Sequence, residues 1–267
     1  MKEKIIRLAH GAGGRMMNDL IRQVFAAPLD NPYLHQMADS AVVESALHNQ
    51  KFAISTDSFV VRPLFFPGGD IGSLAVHGTV NDLAMSGARP LWLTAGFILE
   101  EGLEMAVLER VVRSMARAAR NAGVQVVAGD TKVVERGHGD GIYVNTAGVG
   151  VVPEGIAVGP HHIRPGDAVL LSGTLGDHGI AVLSKREGLE FETALLSDSA
   201  PLNGLVATLL EAAPHTHCLR DPTRGGLAAA LNELAGVSKV GIEIEEPAVP
   251  VRPAVAAACE MLGFDPL

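Results

Sequence analysis

The sequence predicts a mixed α+β protein of two domains, and three observations carry that expectation. At 267 residues the chain is longer than one core comfortably holds. Strand-like and helix-like segments mix in both halves. A stretch rich in Gly, Pro and His, from Pro153 to Pro165, separates the halves. The expected domains are therefore residues 1–155 and 156–267.

The first half supplies the clearer elements. Lys51 to Ser55 (KFAIS) reads as a strand running into Thr56-Asp57. Ser73 to Gly87 reads as a helix, because Val76, Val80, Leu83 and Ala84 recur on one face and Gly87 stands where a helix stops. Leu91 to Ile98 is strand-like. Glu104 to Ala122 carries the apolar stripe Leu108, Val111, Met115, Ala119 and Ala122, with Gly123 as its stop signal. Val124 to Ala128 is a short buried strand that ends in Gly129-Asp130-Thr131-Lys132, and Ile142 to Val152 is another strand. In the second half, Ala168 to Ser172 and Val240 to Glu245 read as strands. Pro201 to Ala213, Thr223 to Ala235 and Pro253 to Leu262 read as helices.

Composition excludes several classes. The formal net charge is −9, and no Lys/Arg block exists, so a nucleic-acid surface is not expected. No apolar run approaches the roughly 18 residues of a membrane span. The N-terminus lacks the apolar core of a secretory signal. Cys218 and Cys259 stand far apart and form no zinc spacing, which suits a reducing cytoplasm. An acidic protein that binds a polyanion needs metal ions, backbone N–H groups or local Arg and Lys.

Such groups recur along the chain. His10-Gly11-Ala12-Gly13-Gly14-Arg15 can fold closely around an anion through successive N–H groups, although a flexible arm reads the same. Asp39, Asp57, Asp82 and Asp130 precede or follow small polar residues. Mg²⁺ prefers carboxylate oxygens that it bridges to phosphates, whereas Asp before Ser or Thr also caps turns. His77 and Asn81 lie four apart and share a helix face, as a buried hydrogen-bonding pair or a ligand contact. Lys132 follows a buried strand and is placed to neutralise phosphate or to act as a base. Arg220-Asp221-Pro222-Thr223-Arg224-Gly225-Gly226 opens a helix with Thr223 as the expected N-cap, and Gly173 to Gly179 lies between a strand and a helix; either turn suits an anion or is ordinary turn chemistry.

Read in order, the segments LAHGAGGRMM, VRPLFFPGGDIGSLAVHGTVNDLAMSGARP, GDTKVVERG, SGTLGDHGIAVLSKREGL, LRDPTRGGLAAALNE and CEMLGFDPL resemble the HypE family of hydrogenase maturation factors, within the PurM-like superfamily. The resemblance implies an N-terminal α/β domain that contributes to a β-barrel across a homodimer, with a C-terminal α+β domain beside it. It implies ATP and Mg²⁺. Gly11, Gly13, Gly14, Asp39, Asp57, Asn81, Asp82 and Asp130 would bind the nucleotide, and the four aspartates would hold the metal. Lys132 is the implied catalytic lysine, and His77 a second active-site candidate. The implied reaction is ATP-dependent dehydration of a C-terminal cysteine S-carboxamide, installed by HypF, to a thiocyanate. The cyano group then passes to iron on a HypC–HypD complex for the [NiFe] hydrogenase. Family members continue past the position of Leu267 to that cysteine, so the resemblance implies a chain cut short, unable to complete the reaction in cis. The alternatives are a nucleotide-binding docking subunit without catalysis and a small-molecule kinase of the same superfamily.

Overall fold

The structure is a computed structural model that describes residues 14–20, 22, 41–44, 50–189 and 195–267. Its largest feature is a five-stranded mixed sheet. The strands are β1 (Ala41–Glu44), β2 (Lys51–Phe59), β5 (Arg89–Glu100), β6 (Gln125–Val134) and β7 (Ile142–Val152), in the order β1-β2-β7-β5-β6. β5 and β6 pair in parallel, and the other neighbours pair antiparallel. A two-residue pair of strands, β3 (Phe65–Phe66) and β4 (Gly69–Asp70), leads into helix α2 (Ile71–Met85).

α2 starts two residues before the expected Ser73 because Asp70 caps it. The Asp70 carboxylate accepts from the Gly72 and Ser73 N–H groups, and the Asp70 N–H donates to the Ser73 hydroxyl. This reciprocal arrangement satisfies donors that a helix start otherwise orphans. The expected apolar face is the buried one: Val76, Val80, Leu83 and Ala84 are fully buried. α2 packs against the sheet and against α3 (Met105–Ala122), whose Val111, Met115, Ala119 and Ala122 are buried in the same core and whose C-cap Gly123 is left-handed. The helices approach so closely at Gly72 that a Cβ there would lie 2.3 Å from the Val111 carbonyl oxygen. One polar chain crosses this core. The Thr79 hydroxyl donates to Thr146 Oγ1, which donates to the Ala75 carbonyl, so both buried hydroxyls are satisfied.

Strand alternation sorts side chains onto two faces. Ala53, Phe59, Leu93, Ala95, Val144 and Thr146 turn toward the helices and are buried. Ile54, Trp92 and Ile98 turn to the other face, and each stays nearly half exposed. β6 runs well past the expected Ala128, because its pairing with β5 continues to Glu100↔Val134. Asp130 and Lys132 therefore sit within a strand, not beyond one. Asp57 likewise lies inside β2.

The second half differs from expectation in its strands. Among the described residues neither 168–172 nor 240–245 forms a strand. No extended neighbour among the described residues pairs with them, and Leu170 is left 84% exposed, so neither segment has a ladder to join. The helices are α4 (Asp177–Glu187), α5 (Asn203–Ala212), α6 (Gly226–Ser238) and α7 (Pro253–Leu262). The N-cap of α6 is left-handed Gly225 rather than the expected Thr223. A seven-residue helix, α1 (Gly14–Leu20), precedes the sheet. Cys259 fills core space with Ile180, Leu195, Val255 and Ala258, and Cys218 is half-buried. No helix among the described residues is long and apolar enough to cross a membrane.

Candidate active site

The site grows from β2 and α2, which run side by side in opposite directions. Ser55 and Asp57 are two apart on β2 and share its helix-facing side. The Ser55 hydroxyl donates to Asp82 Oδ2 at 2.6 Å. Asp57 Oδ2 lies beside Gly78, one helical turn from Asp82, at the position where a Cβ on that glycine would come within 3.4 Å. Two of the predicted aspartates thus converge on one side of the sheet. Burial pushes the Asp57 carboxyl above the ordinary carboxylate value, while the Arg224 guanidinium and the Ser58 N–H partly offset it. Arg224 belongs to the glycine-rich turn before α6, so the second half presents a cation to the acid of the first.

Asp130 and Lys132 are elsewhere. The cross-strand rows are Asp57–Thr146–Ala95–Gly129 and Ser58–Asn145–Gly96–Asp130. Asp130 therefore falls on the face opposite Asp57, three strand spacings away, or roughly 14 Å. The expectation that these aspartates share one cleft fails within a single chain, because their strand positions have opposite parity. Lys132 Nζ donates to both Asp130 oxygens, at 2.9 and 2.8 Å, which holds the Asp130 carboxyl below its ordinary value. Asn145 organises the same face by donating to the Thr56 and Ser58 hydroxyls and the Asp57 carbonyl.

His77 and Asn81 share a face of α2, as their spacing requires. That face meets the segment 197–202. His77 Nδ1 lies 3.0 Å from the Ser199 hydroxyl, and burial holds the ring below the ordinary histidine value. Asn81 donates to the Ala200 carbonyl at 3.0 Å and accepts from the Leu202 N–H at 2.8 Å. From the other side of the segment, His178 of α4 reaches the Ser197 hydroxyl at 2.9 Å. Both polar residues thus serve the seam between the halves.

Gly14, at φ +70°, opens α1; Gly11, Gly13 and Asp39 lie outside the described residues. In the turn Gly173 to Gly179, Asp177 is buried, accepts from the Thr174 hydroxyl and faces Arg252 at 3.2 Å, which is internal turn chemistry. At α6 the Ala228 N–H donates to the Leu267 carbonyl at 3.1 Å. Ser55 was legible in the sequence, since it stands two residues from Asp57 on the same strand face. No local pattern announces that the Arg224 charge acts on Asp57, because 167 residues separate them (224 less 57).

Hard oxygen donors are the right chemistry for Mg²⁺. Among the described residues no three acidic, His or Cys side chains gather into a self-sufficient metal cluster. Mg²⁺ is commonly held by one or two carboxylates plus substrate phosphates, and Asp57 with Asp82 fit that mode.

Known proteins share this architecture. Residues 37–152 match the family model for the N-terminal domain of AIR synthase related proteins, and residues 164–267 match that for the C-terminal domain. The carbamoyl dehydratase HypE of Azotobacter vinelandii is 59% identical over 262 residues, covering 98% of this chain and 76% of the relative. A solved HypE–HypF complex matches with TM-score 0.87 at 54% identity, over 92% of this chain and 79% of the other. A HypE structure in complex with ATP matches with TM-score 0.79 at 52% identity, over 98% and 78%. On these matches the chain belongs to the HypE family of carbamoyl dehydratases, the hydrogenase maturation enzymes of the AIR synthase related proteins.

Proposed function

We propose that this chain binds Mg-ATP where β2 and α2 meet the turn before α6, and uses it to dehydrate a cysteine S-carboxamide to a thiocyanate. The supporting observation is the convergence of Asp57 and Asp82 opposite Arg224. Asp57 and Asp82 would hold Mg²⁺, which neutralises charge on the transferring phosphoryl group. Arg224 faces the same phosphates. The reaction balances as R–S–C(=O)NH₂ plus ATP giving R–S–C≡N, ADP and phosphate. The amide oxygen attacks the γ-phosphorus, becomes a phosphate leaving group and departs as the two N–H protons are lost. HypF supplies the carboxamide, and the HypC–HypD complex receives the cyano group. The two domains divide at residues 155 and 156.

Lys132, whose Nζ donates to both oxygens of Asp130, acts as a phosphate-neutralising group. It works from the other face of the sheet, and a homodimer accounts for that. Ile54, Trp92 and Ile98 give the same face the apolar surface that a second copy covers. Each active site then draws Asp57 and Asp82 from one protomer and Lys132 from its partner. Phosphate release from ATP in the presence of an S-carbamoyl cysteine peptide tests the reading. Lys132→Ala and Asp57→Asn should each abolish release, and mixing the two variant proteins should restore part of it. Undiminished release by Lys132→Ala would leave a docking role. Loss in both variants without restoration on mixing would confine each site to one chain.

A further inference from the structure

We infer that Asn145 binds the substrate's carboxamide, its side-chain oxygen accepting one of the two N–H groups that the reaction removes. The inference rests on the reading that this chain dehydrates an S-carboxamide. Asn145 lies on β7, exposed on the sheet face that carries Asp130 and Lys132. Its Nδ2 donates to the Asp57 carbonyl at 3.0 Å, the Ser58 hydroxyl at 3.0 Å and the Thr56 hydroxyl at 3.3 Å, all on β2. A carbonyl oxygen can only accept, so the Asp57 contact fixes which end of the amide meets β2. The nitrogen is committed there, and Oδ1 has no hydrogen-bond partner among the described residues.

The rest of the row makes room for a ligand. Asn145 pairs with Gly96 of β5, and Gly96 with Asp130 of β6. Gly96 puts no side chain between its neighbours. A Cβ there would meet nothing closer than Asn145, at 3.9 Å. The row is thus a trough floored by glycine, with Asn145 on one side and the Asp130–Lys132 pair on the other. The two sides stand two strand spacings apart, roughly 10 Å. A carboxamide suits this trough. Its N–H groups need acceptors, and Asn145 offers a neutral one. The amide is planar, so holding one N–H sets the direction of the oxygen that attacks the γ-phosphorus.

The test compares two short peptides that end in a modified cysteine, one S-carbamoyl and one S-acetyl. The two groups share a shape, but a methyl replaces the NH₂. Calorimetry with Mg-ADP present measures both affinities without turnover. Wild type should prefer the S-carbamoyl peptide about tenfold, the worth of one hydrogen bond. Asn145→Ala should bind the two alike. Asn145→Asp keeps an acceptor oxygen and loses the donor to β2, so it should keep the preference while its Tm falls. A disturbed β2 would weaken both peptides equally, so the ratio isolates the acceptor. An Asn145→Ala protein that keeps the preference overturns the inference, as does an Asn145→Asp protein that loses it. A wild type that releases phosphate from ATP with the S-carbamoyl peptide, yet shows no preference, overturns it and leaves the dehydration reading intact. A wild type that releases no phosphate with that peptide overturns the dehydration reading itself, and the inference with it.

Discussion

Replacing Asn81 with alanine separates two roles for one side chain. Asn81 is buried and uses both ends of its amide on the segment that joins the halves, accepting from Leu202 N–H at 2.8 Å and donating to the Ala200 carbonyl at 3.0 Å. Alanine removes both bonds and leaves two backbone groups without their partner. Each bond is worth about 1 kcal/mol net; Ala200 is exposed and Leu202 half-buried, so water can take up the freed groups. The expected loss is about 2 kcal/mol. For a protein of this size that lowers Tm by roughly 4–8 °C. Calorimetric melting of the nucleotide-free protein is the assay. Asn81→Asp keeps an acceptor for Leu202 but offers no donor to Ala200, so its loss should be about half that of alanine. If Asn81→Ala melts like wild type while Mg-ATP affinity falls, Asn81 is a nucleotide contact and the seam argument is refuted.

Further outcomes follow from the titratable groups. Burial raises the folded Asp57 value, so its contribution favours folding below the ordinary 3.8 and is lost as pH rises through the folded value. At neutral pH the ionised side chain thus opposes folding. Asp57→Asn should raise the Tm of the nucleotide-free protein and remove the further rise that Mg-ATP produces; a lowered Tm would contradict the assignment. His77 and His178 are both held below the ordinary 6.5, chiefly by burial. Their neutral rings favour folding above that value, and this stability is lost as pH falls through it toward the folded values. The double variant His77→Gln, His178→Gln should flatten the acid side of the stability–pH curve, and an unchanged slope would exclude both rings.

Much of this fold is legible in local pattern, and what is not legible is long-range. Val76, Val80, Leu83 and Ala84 announce the buried face of α2, and Gly123 announces the end of α3, because both signals lie within a few residues. The span Pro253–Leu262 is read correctly to the residue. The segments 168–172 and 240–245 show what pattern cannot supply. Local pattern says that a segment could be a strand, but only a neighbouring ladder makes it one. The site divides the same way. Asp57 and Asp82 share one side of the sheet because β2 and α2 are close in sequence and pack directly. Asp130 carries an equally suggestive motif, yet the parity of the β5–β6 register, with its irregularity at Leu93/Thr94, turns it to the opposite face. The Arg224–Asp57 relation depends on how distant segments dock, which no spacing rule encodes.

A crystal structure of the protein with Mn-ATP, with the metal located by its anomalous signal, decides where the nucleotide's metal is held. The expected result is the metal bridging the phosphates to the carboxylates of Asp57 and Asp82 at roughly 2.1 Å, with Arg224 on the same phosphates. A nucleotide whose metal touches neither Asp57 nor Asp82 would contradict it.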